Sequence, residues 1–183
     1  MNCLLVFLLL ALAPMVAAAR PVAYPSAMSS PYKPALLRRH YELAAADKAA
    51  GEKFYQLLAE YHAQDALVLG YKAAAQAIRA RDASMFNKLT YVQDAARTFA
   101  QAVALAPENA EIRFLRFSVE SNLPAFLGLS THVDEDKAFL LNSALAHPRS
   151  GLDAESFRTV RSFLVARGHV STADAARLGE VPE

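Results

Sequence analysis

Apolar positions recur at three- and four-residue steps through most of the chain, the period of helices that bury one face. Behind Pro34, the residues Leu37, Tyr41, Ala44 and Lys48 keep this spacing and predict a first helix over 35–49, with Gly51 interrupting the pattern. It resumes with Phe54, Leu57, Leu58 and Tyr61 for a second helix. Leu67, Tyr71, Ala74 and Ile78 mark a third, whose many alanines admit a close neighbour. The longest stripe, Leu89, Val92, Ala96, Phe99, Val103 and Ala106, predicts a fourth. Pro107 ends that helix and, with Asn109, opens a fifth. There Ile112, Leu115 and Val119 form one stripe and Phe114 with Phe117 a second, so this helix is expected to touch two neighbours.

Asn122-Leu123-Pro124 stops the fifth helix, and the apolar stretch 125–133 reads as an irregular connector packed down on the core. Asp134, Glu135 and Asp136 place negative charge in the first turn of a short sixth helix, where unpaired backbone donors favour it. Asp153 is positioned to cap a helix carrying Phe157, Val160 and Leu164 and closed by Gly168. Ser171 with Asp174 resembles a capping box for a final short helix ended by Gly179. No segment alternates with period two. The fold class that follows is all-α: antiparallel helical hairpins or an irregular helical bundle of about seven helices, forming a single domain over 35–183.

The N-terminus follows another logic. Residues 3–13, CLLVFLLLALA, are continuously apolar, Pro14 breaks the run, and small residues follow to Ala19. This is the order of a signal peptide, predicted over 1–19 with cleavage after Ala19 and export to the periplasm or the extracellular space. The alternative is a retained N-terminal membrane anchor, since the apolar run approaches the length that spans a bilayer and no Lys or Arg precedes it. Residues 20–34 carry four prolines and read as an extended lead-in. Cys3 is the single cysteine, so a chain cut after Ala19 holds neither a disulfide nor a thiolate metal site. Nineteen basic against eighteen acidic residues leave a formal charge of +1, which gives no long-range field toward nucleic acid. No stable membrane span is expected after signal removal.

Around the fourth helix a family resemblance enters. Ala95, Phe99, Ala102 and Pro107 stand at the relative spacing of the small, aromatic, small and proline positions in the second half of a tetratricopeptide repeat. Small residues allow close helix crossing, the phenylalanine fills the space between paired helices, and the proline ends one helix before the next. Upstream, Leu69, Gly70 and Tyr71 lie about a dozen residues too far from Ala95 for the standard repeat. Any antiparallel hairpin needs a similar small, large, small pattern. The wider sequence, with Lys72-Ala73-Ala74, the stretch 111–116 and the stretch 122–128, resembles a family of uncharacterised exported bacterial helical proteins; that resemblance implies no activity.

Arg113, Arg116 and Glu120 form a polar stripe on an otherwise apolar helix and are the candidate partner-binding residues, two guanidiniums able to hold a carboxylate or phosphate at a groove edge. The plainer reading is structural pairing, of Arg116 with Glu120 and of Arg113 with an acid on a neighbouring helix. His132, Glu135 and Asp136 share a turn but are too few to argue for a metal. Arg38, Arg39 and His40 read as a solvated basic face, and Tyr24, Tyr32 and Tyr41 carry no motif. No nucleophile elbow, zinc helix, phosphate loop or cofactor motif is present. The expectation is therefore a non-enzymatic exported binding or scaffold protein that recognises a peptide or protein partner. Two alternatives are a small-ligand carrier lidded by Ala125–Leu129 and a hydrolase built from dispersed Ser, His and Asp.

Overall fold

The computed structural model describes residues 31–182, with the side chain of Met85 excepted. The signal peptide expected over 1–19 lies outside these residues, as does the extended lead-in expected over 20–34 up to residue 30. Of its remainder, residues 31–32 form a turn and Pro34 already belongs to the first helix, whose first turn needs no N–H from it. The described residues fold into eight α-helices and no strand, in the all-α class that the hydrophobic period predicts. They are α1 (Pro34–Ala46), α2 (Lys48–Ala59), α3 (Ala66–Asp82), α4 (Met85–Leu105), α5 (Ala110–Glu120), α6 (Val133–Leu145), α7 (Ala154–Ala166) and α8 (Thr172–Gly179).

Side-chain caps set most of the helix starts. Asp47, Asp65, Asn109 and Asp153 each accept the backbone N–H three residues ahead, at 2.8–3.1 Å, and Ser171 does the same for Asp174. Each satisfies one donor that the first helical turn leaves open. The first boundary differs from the one expected. The break falls at Asp47, and Gly51 lies inside α2, buried against α3, where an added Cβ would stand 3.0 Å from Ile78 Cγ2. Gly51 is a close-approach residue between two helices rather than an interruption. Two helix ends are closed from a distance: Arg81 donates to the carbonyls of Ala44 and Ala45, and Lys72 to those of Ala59 and Tyr61. Cations suit helix C-termini because the free carbonyls there carry partial negative charge.

The helices pack as consecutive hairpins. Helix α3 lies against both members of the α1/α2 pair and pairs most extensively with α4; α5 lies against α3 and α4 and pairs with α6; α7 and α8 pack on α6. Two main hydrophobic clusters result. Leu37, Phe54, Leu58, Tyr71, Phe99 and Leu115 belong to the first, and Phe114, Phe117, Leu140, Phe157, Val160 and Leu164 to the second. The two stripes of α5 face different clusters: Leu115 and Val119 the first, Phe114 and Phe117 the second, while Ile112 of the first stripe packs with Leu69 and Ala102 in a third, smaller cluster.

Two expectations fail beyond α5. Helix α6 is thirteen residues long rather than short. The connector after Pro124 does not pack down: it makes a single 3-10 turn, Ala125–Leu127, and Phe126 is 86% exposed. Its polar ends hold it instead, since Ser130 Oγ donates to the Glu120 carbonyl and the His132 N–H donates to Glu120 Oε2.

Beyond α7, His169 stacks on Phe163 and meets Phe117 edge-on, with centroids 5.1 and 4.9 Å away. Burial holds its pKa below the ordinary 6.5, and the charges of Arg167 and Lys137 add to that. The unfolded chain takes up this proton before the folded one, so stability falls as pH drops below about 6.5. Urea unfolding at pH 7.5 and pH 5.5 is expected to show a smaller loss of stability in His169→Gln than in the wild type. An equal loss in both proteins would contradict the assignment.

Candidate functional site

Arg113, Arg116 and Glu120 point into the protein rather than to a groove edge. Asp136 of α6, wholly buried, accepts from Arg116 Nε and Nη2 at 2.7 Å each and from Arg113 Nη1 at 2.9 Å. Arg113 also pairs with Glu135, donates from Nε to the Pro107 carbonyl at 2.9 Å, and stacks its guanidinium 4.9 Å from the Phe139 ring. Burial pulls the Arg113 pKa down, but the hydrogen bonds it donates to Glu135 and Asp136, with their charges, outweigh it and leave the pKa raised. Glu120 holds His132 through both the backbone N–H, at 2.8 Å, and ring Nδ1, at 2.9 Å. Arg116 therefore pairs across to α6 and not with Glu120 one turn away. The whole stripe is an ionic seam between α5 and α6.

The same seam absorbs His132, Glu135 and Asp136. Both Asp136 oxygens face guanidiniums, and among the described residues no group of three or more His, Cys, Asp or Glu is placed to hold a metal. Ala95, Phe99 and Ala102 are buried on α4, and Pro107 sits in the turn that follows it. Ala102 packs with Leu69 and Ile112, at the junction of α3, α4 and α5. Tyr32 sits edge-on to Tyr61 at 4.8 Å and donates to the Leu57 carbonyl. Tyr24 lies outside the described residues.

A cleft that sequence spacing did not reveal lies between α1 and α7. It is a hollow of about 160 Å³ walled by the odd-numbered helices, with Phe114, Leu115 and Phe163 as apolar floor. Arg38 crosses it. From α1 its guanidinium grips Glu111 of α5 bidentately, at 2.8 and 2.9 Å, and reaches Asp153 at 2.8 Å and Glu155 at 3.3 Å on α7. The hydrogen bond that Arg38 donates to Glu111 raises the Arg38 pKa well above the ordinary range, against the opposing effect of burial. On the other side, Tyr71 donates to Glu111 Oε1; burial and the Glu111 charge raise its pKa, so the phenol stays a donor. Ser118 gives its proton to the Leu115 carbonyl, so Tyr41 donates to the Ser118 oxygen at 3.1 Å.

Of the basic cluster expected to be solvated, Arg38 thus turns inward, while Arg39 and His40 stay exposed. The warning in the sequence was slight: Arg38 is one residue from Leu37, the buried anchor of α1, and Glu111 and Asp153 sit at helix starts far along the chain. None of the lining residues belongs to the connector Ala125–Leu129, so it does not lid this hollow.

Fold and site together define a helical protein with an ion-clasped cleft between α1 and α7. No family model, no curated protein and no solved structure matches the chain. Among the described residues no helix is long and apolar enough to cross a membrane.

Proposed function

We propose that this chain is a non-enzymatic exported binding or scaffold module that holds a peptide segment of a protein partner in the cleft between α1 and α7. The observation that carries the reading is the cleft itself: four helices converge on a small apolar floor under a charged rim. Its volume of about 160 Å³ is below the 300–1,000 Å³ typical of small-molecule pockets but matches one apolar side chain. A peptide anchored by one side chain and held by polar groups at the rim fits that shape. The repeat-like positions Ala95, Phe99, Ala102 and Pro107 support the same reading, since stacked hairpins of that type present one face of alternate helices for binding. Export rests on the apolar run, Pro14 and the small residues up to Ala19.

The test is site-specific photocrosslinking in the host cell. Thr159, exposed on α7 and lining the cleft, is replaced by a photoreactive residue, and Gln101, exposed on α4 outside the cleft, serves as control. Adducts that form from position 159 and not from position 101 are expected. No adduct from position 159, or the same adducts from both, would count against the cleft.

A further inference from the structure

The same cleft carries an imbalance of charge that bears on what it binds, and this step rests on the binding role just proposed. Among the described residues lining the hollow, Arg38 is the one cation, facing the carboxylates of Glu42, Glu111 and Glu155 with Asp153 beside them at the start of α7. These carboxylates are not equivalent. Glu111 is enclosed, with its oxygens taken by Arg38 and Tyr71. Asp153 and Glu155 are different: their side chains are 53% and 56% exposed, against 18% for Arg38.

A carboxylate offers about four acceptor sites. Glu155 receives Arg38 over a long 3.3 Å contact, and Asp153 uses Oδ1 for the Ser156 N–H and Oδ2 for Arg38. Acceptor capacity is thus left facing water beside a hollow that Phe114, Leu115 and Phe163 also line. Glu42 is exposed on the α1 side of the same rim.

We infer that the cleft selects a peptide in which an arginine or lysine stands next to an apolar residue, the apolar side chain entering the hollow and the cation resting on Asp153, Glu155 and Glu42. The burial of the groups fits this pairing, with Phe114 and Leu115 buried and Asp153 and Glu155 more than half exposed. A planar guanidinium matches two neighbouring carboxylates better than an ammonium does, so arginine is preferred to lysine. An acidic peptide meets like charge at the rim and is disfavoured. The chain as a whole carries only +1, so the attraction is local to the rim and weakens with salt.

The experiment is selection from a randomised peptide library displayed on phage against the chain from residue 20 onward, followed by titration of the selected peptide. Three comparisons accompany the titration. One is the same peptide with glutamine for its basic residue, on unaltered protein. Another is the double variant Asp153→Asn, Glu155→Gln, in which asparagine still caps α7. The third is Thr159→Arg, which fills the cleft and offers its own guanidinium to the rim.

Enrichment of Arg or Lys beside an apolar residue is expected, with roughly tenfold weaker binding for the glutamine peptide and for the double variant, the combined effect of two rim ion pairs. Thr159→Arg is expected to abolish binding. Peptides that depend on Thr159 but show no basic preference would overturn this inference and leave the binding role standing. A selection that yields no peptide sensitive to Thr159→Arg would overturn both.

Discussion

Replacing Asp136 by asparagine is expected to lower the unfolding free energy by about 3–5 kcal/mol, the cost of leaving buried charge without its counter-charge. The side chain is wholly buried and accepts three hydrogen bonds from two guanidiniums. Asparagine keeps the shape but turns an NH₂ donor toward N–H donors. Arg116, itself buried, is then left with no carboxylate among the partners it has here, whereas Arg113 keeps Glu135 and the Pro107 carbonyl. For a domain of this size the loss corresponds to a fall in Tm on the order of 10 °C. The double variant Arg116→Met, Asp136→Leu removes charge and counter-charge together and is expected to lose much less. Urea denaturation of the three proteins decides the matter. If the single variant lost less than about 1 kcal/mol, the seam would be shown to contribute little to stability.

The second large effect is expected at Phe99. Its ring is buried on α4 within the cluster that includes Tyr71, Ile78 and Leu115, and neighbouring Ala95 and Ala102 are too small to close the space it would leave. Phe99→Ala is therefore expected to cost about 3–5 kcal/mol, from the lost transfer of the ring and from the residual cavity. Phe99→Leu keeps most of the volume and is expected to cost well under half as much. Thermal unfolding followed by circular dichroism measures both. Equal small losses would mean that α3 and α4 collapse onto the vacated space. Phe99 also couples the fold to the cleft, since Tyr71 and Leu115, its cluster neighbours, line that hollow.

Where a helix buries one face in a contiguous stripe, its sequence announces it: α3, α5 and α7 follow their apolar periods, and Asn109, Asp153 and Ser171 cap where their spacing says they should. On α4 the buried face runs through Val92, Ala95, Phe99 and Ala102 rather than through the expected stripe, and Leu89 is left 47% exposed beyond the reach of the neighbouring helices. The α1/α2 boundary was misplaced because Gly51 has two opposite meanings in a helical pattern, a break or a close approach. Only the position of Ile78, twenty-seven residues on, decides between them. The connector after Pro124 misled in a similar way. Its apolar composition suggested burial, yet Phe126 faces water, because composition does not say whether a core has room.

The candidate site was the least legible part. Arg113 and Arg116 were singled out by helical phase alone, and phase cannot distinguish an arginine facing water from one facing a buried aspartate on the next helix. The expectation of a solvated Arg38 fails for the complementary reason. Its partners Glu111, Asp153 and Glu155 lie more than seventy residues away, brought to it by the stacking of α5 and α7 and by no local pattern. Long-range ion pairs leave no period in a sequence.

The double use of α5 has a consequence for how the protein comes apart. A helix that supplies Leu115 to one cluster and Phe114 and Phe117 to the other cannot loosen with either half alone without stripping a buried face from the half that remains. Its backbone amides are thus expected to be sheltered in partly open forms and to exchange with solvent at the rate of global unfolding, which native-state hydrogen exchange checks. Helix α8, docked through buried Leu178, has no such double tie, and its amides are expected to exchange through smaller, more frequent openings. The tie between the two clusters runs through the eleven residues of one central helix.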